Sequence, residues 1–250
     1  MTKVKTADEI VAMREGGKML AIVLDTLRQQ IKAGMTTKDL ADLAADTLEG
    51  LGGKPAILGY QGFPDVICIS VNDEVVHGIP STEVVLKNSD IVGLDFCVEH
   101  KGMITDAAIT VIVGGNADQK VQQLLHDTQN ALLTGIETLH GGVRVGDIGA
   151  AVESFLDSRG YGIVRDLVGH GVGHQMHEDP NIPNYGRAGS GPALQAGMTI
   201  AIEPMVTLGG DDVVLADDQW TIQTRDGSLA AHFEHTVLIT EDGYEILTAL

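Results

Sequence analysis

Residues 93–113 read GLDFCVEHKGMITDAAITVIV: two apolar, strand-like arms joined at His100-Lys101-Gly102, with Asp95 in the first arm and Asp106 in the second. A carboxylate inside an apolar strand needs a reason. If the arms form a hairpin centred between residues 100 and 101, the two aspartates are directly opposed, with Cβ atoms only about 5 Å apart. Like charges at that spacing repel, and burying even one of them ionised is costly unless a positive charge compensates. Lys101 belongs to the turn and points to water. A divalent cation reverses the penalty, because oxygen ligands at this spacing can be bridged by one or two ions.

The surrounding chain repeats. Upstream, Thr6-Ala7-Asp8-Glu9 has capping-box spacing, and Leu20, Val23, Leu24, Leu27 and Ile31 follow at helical intervals. A second helix opens at Thr36 or Thr37, carries Leu40, Leu43, Ala44, Leu48 and Leu51 on one face, and stops at Gly52-Gly53. Strand-like runs cover residues 66–71, 90–98 and 103–113. The pattern then restarts, with helices predicted over 116–140 and 147–159 and strands near 198–205, 221 and 234–240. An offset of 108 residues superposes Gly34 on Gly142, Asp39 on Asp147, Leu48 on Leu156, Gly52 on Gly160 and Asp95 on Glu203. A longer connection raises the offset to 128, where Asp106 falls on Glu234. Chance matching of glycines and aliphatics is the bland alternative, but it leaves unexplained why acids align with acids inside apolar strands. The period is too long for a solenoid. It predicts one α+β domain over 1–250, with halves of approximately 1–115 and 116–250 about a pseudo-twofold axis and helices packed on a mostly antiparallel sheet.

Composition narrows the function. With 44% hydrophobic and 20% charged residues the chain is a folded globular protein. Its 16 Lys and Arg against 35 Asp and Glu give −19, which argues against stable nucleic-acid binding and against an anionic membrane surface. No apolar run approaches a membrane span, and Asp8 and Glu9 interrupt any secretory segment, so a cytoplasmic location is expected. Cys68 and Cys97 are the only cysteines, each in an apolar stretch, so a disulfide framework or thiolate zinc site is not expected. Any metal must be held by carboxylates and imidazoles, a set that favours manganese, iron, cobalt or zinc over magnesium or calcium.

The imidazoles come from residues 169–180, GHGVGHQMHEDP. Glycines flanking His170 permit close backbone approach and unusual dihedrals. His77 and Pro80 repeat the spacing of His177 and Pro180. His77, His170 and His177 are therefore candidate functional residues. His100, His126, His140, His174 and His232 are read as ordinary satisfied side chains.

These segments resemble the type I methionine aminopeptidases, metallopeptidases of the pita-bread fold. The similarity runs through residues 70–80 (SVNDEVVHGIP), 93–113, 169–180, 199–204 (TIAIEP) and 233–240 (FEHTVLIT), in order and covering nearly the whole chain. It implies two divalent ions held by Asp95, Asp106, His170, Glu203 and Glu234, with Asp106 and Glu234 bridging. It also implies that Glu203 relays a proton and that His77 and His177 bind substrate and stabilise the oxyanion. The methionine pocket maps onto Tyr60, Phe63, Cys68, His77 and Trp220, with Ile57 and Met176 beside them. Three of the chain's nine aromatics would then share one pocket, where a thioether packs well. Met176 stands where the family usually has phenylalanine. The implied activity is removal of the initiator methionine from nascent proteins with a small second residue, by a monomer with at most transient ribosome contact.

Four rivals share parts of this pattern. Dipeptidases and Xaa-Pro peptidases use the same five ligands but generally carry an additional N-terminal domain, and here residues 1–51 are used up by the first two helices. Type II methionine enzymes insert a subdomain between the last two glutamates, which are only 31 positions apart here. A metal-free interaction module would have lost a ligand, and a purely structural metal site would not need the two unligated histidines and the pocket.

Overall fold

A computed structural model describes residues 2–250. Helix α1 (Ala7–Gln30) begins at Thr6, whose side chain accepts from the Glu9 N–H while the Glu9 carboxylate accepts from Thr6. Helix α2 (Thr37–Leu51) is capped the same way by Thr36 and Asp39, and ends on Gly52 in the left-handed region. Strands β1 (Cys68–Val71), β2 (Ile91–His100) and β3 (Met103–Ile112) follow. Helix α3 (Gln119–Ile136) is shorter than its apolar pattern, because Asp118 caps it and Glu137 closes it, and α4 (Val145–Asp157) starts earlier than expected. Then come β4 (Gly169–Gly171), β5 (Glu178–Ile182), β6 (Thr199–Ile202), β7 (Met205–Thr207), β8 (Ala230–His232) and β9 (Glu234–Ile239).

The principal sheet runs Lys54–Pro55, β2, β3, β9, β6, β4, β5, with β1 added to β2 and Tyr244–Ile246 to β9. All its pairings are antiparallel. Its two faces follow from the period of two along a strand. Val92, Leu94, Phe96 and Val98 pack with Leu20, Leu24, Leu27, Leu40 and Leu48 beneath α1 and α2. Ile200, Ile202, Val237 and Ile239 pack with Leu132, Ile136 and Ile148 beneath α3 and α4. Both helix pairs therefore cover the same face, and β3 and β9 meet at the centre. The opposite face carries the alternate residues, among them every candidate acid. Among the described residues no helix is long and apolar enough to cross a membrane.

The repeat reaches into backbone contacts. Thr36 bridges Val85 and Arg144 bridges Ala193, both members of the second pair lying 108 positions beyond the first. Gly34 N–H donates to Leu86 O at 2.9 Å, and Gly142 N–H donates to Leu194 O at 2.7 Å.

One sequence expectation needs correction. The β2–β3 hairpin turns through Lys101 and Gly102, both with positive φ (52° and 79°), so its centre lies between residues 101 and 102. Two left-handed residues make the two-residue turn that suits the twist of an antiparallel pair. Asp106 therefore opposes Cys97, and Asp95 opposes Ala108. The aspartates are diagonal neighbours on one face, not a direct pair.

Candidate active site and metal centre

Strand register explains how distant acids converge. Asp95, Ala108 and Glu234 lie across β2, β3 and β9, and Glu203 follows Ile202, the residue paired with His235. Two residues along, Cys97 pairs with Asp106, while Thr236 pairs with Ala201 and Ala201 with His170. Thr236 Oγ1 accepts from Asp106 N–H and donates to Asp106 O, both at 2.8 Å, continuing that second row. The five candidate ligands thus occupy two adjacent rows on one sheet face.

Local features aim each of them. At Glu203-Pro204 the chain leaves the large sheet for a small one, because proline lacks the N–H that the ladder needs. Asn184 Nδ2 donates to Glu203 O at 3.0 Å and fixes that corner. His170 sits at a register shift between β4 and β5, a bulge that re-aims a side chain. A Cβ on Gly169 would lie 2.4 Å from Ala201 O, so close approach demands that glycine. The unusual dihedrals expected beside His170 are absent: neither Gly169 nor Gly171 has positive φ, and Gly173 alone in this loop does. His77 does adopt the left-handed region (φ 61°), a conformation that costs a non-glycine residue energy and gathers at functional sites.

Donor atoms of Asp106, His170 and Glu234 lie within 4.8 Å of one another, as do those of Asp95, Cys97 and Asp106. His170 Nε2 is 3.4 Å from Glu203 Oε1. Burial and the neighbouring acids push Asp95, Glu203 and Glu234 well above the usual carboxylate range, and burial raises Asp106 to about 6. Burial keeps His170 near 4, so its imidazole is neutral and available as a ligand. Asp106 Oδ1 and Glu234 Oε1 are buried without a hydrogen-bond partner. Unpaired oxygens among crowded acids beside a neutral imidazole fit a divalent cation.

Beside this cluster is an apolar wall. Ile57, Phe63, Cys68 and Met176 are buried together, with Tyr60 and Trp220 packed against them. Phe63 meets Trp220 edge-on at 5.2 Å, and His77 faces the same indole at 6.5 Å. Tyr60 Oη is 2.9 Å from His177 Nδ1, and the His177 ring stands edge-on to His170 at 4.4 Å. Burial lowers both His77, to about 4, and His177. Both are neutral donors near pH 7. Burial and the adjacent carboxylates raise the Cys68 thiol, which suits a pocket wall and not a nucleophile. A cleft of about 370 Å³, lined by Lys3, His174, Gln175, His177, Glu178 and Asp179, borders His177.

The structure brings together all the candidates named from the sequence and adds two that were missed. The sequence marks Cys97 only as a cysteine in an apolar stretch, not expected in a disulfide framework or thiolate zinc site, yet its thiol faces Asp106 and its side chain joins the apolar wall. His232 was read as satisfied, but its Nε2 is buried without a partner, 3.7 Å from Glu203 Oε2 and 4.0 Å from Glu234 Oε2. Each lies two residues from a candidate ligand, Asp95 or Glu234, and the strand period alone was the available signal. His100 and His174 do find partners, in Glu15 and Glu9.

Comparison with known proteins agrees with this geometry. Residues 11–241 match the model of metallopeptidase family M24. The chain is 44% identical over 248 residues to a methionine aminopeptidase of Clostridium acetobutylicum, covering 99% of each. It superposes on the crystal structure of methionine aminopeptidase from Thermotoga maritima with TM-score 0.98 and 45% identity, covering 100% of both chains. A prolidase from Pyrococcus furiosus shares the pita-bread fold alone, with TM-score 0.79 at 22% identity over 99% of this chain and 65% of its own. With a buried, unpartnered carboxylate oxygen on each of Asp106 and Glu234, and with relatives matched end to end, this chain belongs to metallopeptidase family M24.

Proposed function

We propose that this chain removes the initiator methionine from nascent proteins whose second residue is small. The observation that carries this reading is the juxtaposition of the acid and imidazole cluster with an apolar wall containing Tyr60, Phe63 and Trp220. Asp95, Asp106, His170, Glu203 and Glu234 would hold two divalent ions, of manganese, iron, cobalt or zinc. Such ions supply Lewis acidity and lower the pKa of water toward neutrality.

The protein's own groups would do the rest. Glu203 takes the proton of the attacking water on its carboxylate and passes it to the leaving amine. Tyr60 Oη lies 2.9 Å from His177 Nδ1, and a hydroxyl donating there would hold the His177 proton on Nε2, from which it would be donated to the developing oxyanion, a contribution of about 3–4 kcal/mol at comparable sites. His77, held in the left-handed region against Trp220, binds the substrate from the other side. Ile57, Phe63, Cys68, Met176 and Trp220 enclose the methionine side chain, where a thioether packs against aromatic edges. We read residues 1–250 as one catalytic domain, acting as a cytoplasmic monomer on N-terminal peptide segments, with ribosome contact no more than transient given the charge of −19.

The test is release of free methionine from Met-Ala-Ser and Met-Lys-Ser by chelator-stripped protein, titrated separately with manganese, iron(II), cobalt and zinc. Cleavage of Met-Ala-Ser alone, restored by metal, is expected. Cleavage of an Xaa-Pro peptide instead would assign the chain to the prolidase-like branch. A folded protein inactive with every metal would point to an interaction module.

A further inference from the structure

His232 is the one imidazole of the centre that neither the repeat nor the functional reading uses. It ends β8, paired with Met205 just past the Glu203-Pro204 corner. Thr110 Oγ1 grips its backbone from both sides, accepting from His232 N–H at 2.9 Å and donating to His232 O at 2.7 Å. The side chain is 3% exposed. A ring so placed only to fill space would be better replaced by an apolar one, since a buried nitrogen without a partner is costly.

Its Nε2 has two acceptors in front of it, Glu203 Oε2 at 3.7 Å and Glu234 Oε2 at 4.0 Å. Glu203 thus has an imidazole against each oxygen, His170 toward Oε1 and His232 toward Oε2. Carboxylate oxygens are the polar atoms facing this nitrogen, and an Nε2–H is the form of the ring that has acceptors there. About half an ångström of side-chain movement would close the nearer gap to a hydrogen bond.

We propose that His232 is a positioning residue for Glu203: its Nε2–H donates to Oε2, fixing the carboxylate plane so that Oε1 stays committed beside His170. This rests on the reading of Glu203 as ligand and proton relay. The donor is what matters here, not the imidazole as a ligand, and glutamine can place an amide N–H at nearly the same point.

The test compares wild type, His232→Leu and His232→Gln by calorimetric titration of metal-free protein with Mn²⁺ and by kcat and KM on Met-Ala-Ser. His232→Leu is expected to lose about 10–100-fold in Mn²⁺ affinity or kcat, the usual cost of removing an outer partner of a metal ligand, with KM nearly unchanged. His232→Gln is expected to stay within about threefold of wild type, under 1 kcal/mol. Equal loss in both variants would overturn the proposal in favour of an imidazole ligand, and so would an unchanged leucine variant, in favour of packing. The glutamine result decides even if the leucine variant does not fold. A wild-type protein that binds no Mn²⁺ would instead remove the reading of the centre, and this proposal with it.

Discussion

The two halves share a scaffold and divide the chemistry. In each, a helix pair covers one sheet face, a glycine with φ near 93° turns the chain between the helices, and an isolated bridge ties the start of the second helix to the sheet connection. Along the sheet they diverge. Ser70 pairs with Gly93, and His170 pairs with Ala201, which lies 108 positions beyond Gly93. Ser70 is therefore the counterpart of His170, and its Oγ is already engaged by Gly78 N–H at 3.1 Å. Ile57, Tyr60, Phe63 and Cys68 put most of the apolar wall in the first half, while the second half contributes Met176 and Trp220 to it together with His170, His177 and His232. The N-terminal segment clasps the second half, where Lys5, its pKa lowered by burial, pairs with Glu178 at 3.4 Å. Duplicated backbone can supply four acids symmetrically, but one imidazole and one pocket need the copies to differ.

The most damaging way to remove that difference is to give the second half the first half's residue. His170→Ser is expected to weaken binding of cobalt and zinc more than that of manganese, because oxygen donors alone suit harder cations. The loss should exceed the about 10–100-fold typical of an outer partner. Metal titrations of the variant followed by activity assays check this. Equal losses for all the metals would mean that His170 contributes little to metal choice.

Removing metal from the intact site should expose the strain of the four acids. All four carboxyls have folded pKa values above their unfolded ones, so the folded state holds protons more tightly. Metal-free protein therefore loses stability as pH rises from about 4 through the folded values. The gap in Tm between loaded and stripped protein should widen from pH 5 to pH 7.5. A gap independent of pH would contradict the burial of like charges.

A smaller contrast lies at the two second-helix starts. Thr36 caps α2 with its hydroxyl, which accepts from Asp39 N–H at 3.0 Å, whereas at α4 the Asp147 carboxylate accepts from Arg144 N–H and the Arg144 side chain reaches outward to Gly191 O. Thr36→Ala should cost about 1 kcal/mol. Arg144→Ala should cost clearly less by denaturant unfolding, and the reverse order would undo the account of the caps.

Much of this was legible before any coordinates. The capping box expected at Thr6, the second helix opening at Thr36 or Thr37, the long strands and the acids at their strand positions follow from periods of 3.6 and 2 and from turn chemistry, all local in sequence. The hairpin register was not, because it depends on Lys101 adopting a left-handed conformation that lysine does not advertise. Cys97 and His232 were missed for a different reason. Each was judged by its residue type, as a buried cysteine or a spare histidine, although its spacing of two from Asp95 or Glu234 already put it on the same side of its strand path. The pocket could be named only by resemblance, since Tyr60, Phe63 and Trp220 meet through loops that no periodicity describes.

The central claim is that both halves jointly build one metal centre, and counting Mn²⁺ bound by wild type, Asp106→Ala and Glu234→Ala tests it most directly. Two ions per wild-type chain, with both variants losing tight binding and methionine release together, is the predicted result. Retention of two tightly bound ions in either variant would contradict it, because the half that had lost its acid would then be dispensable to the centre.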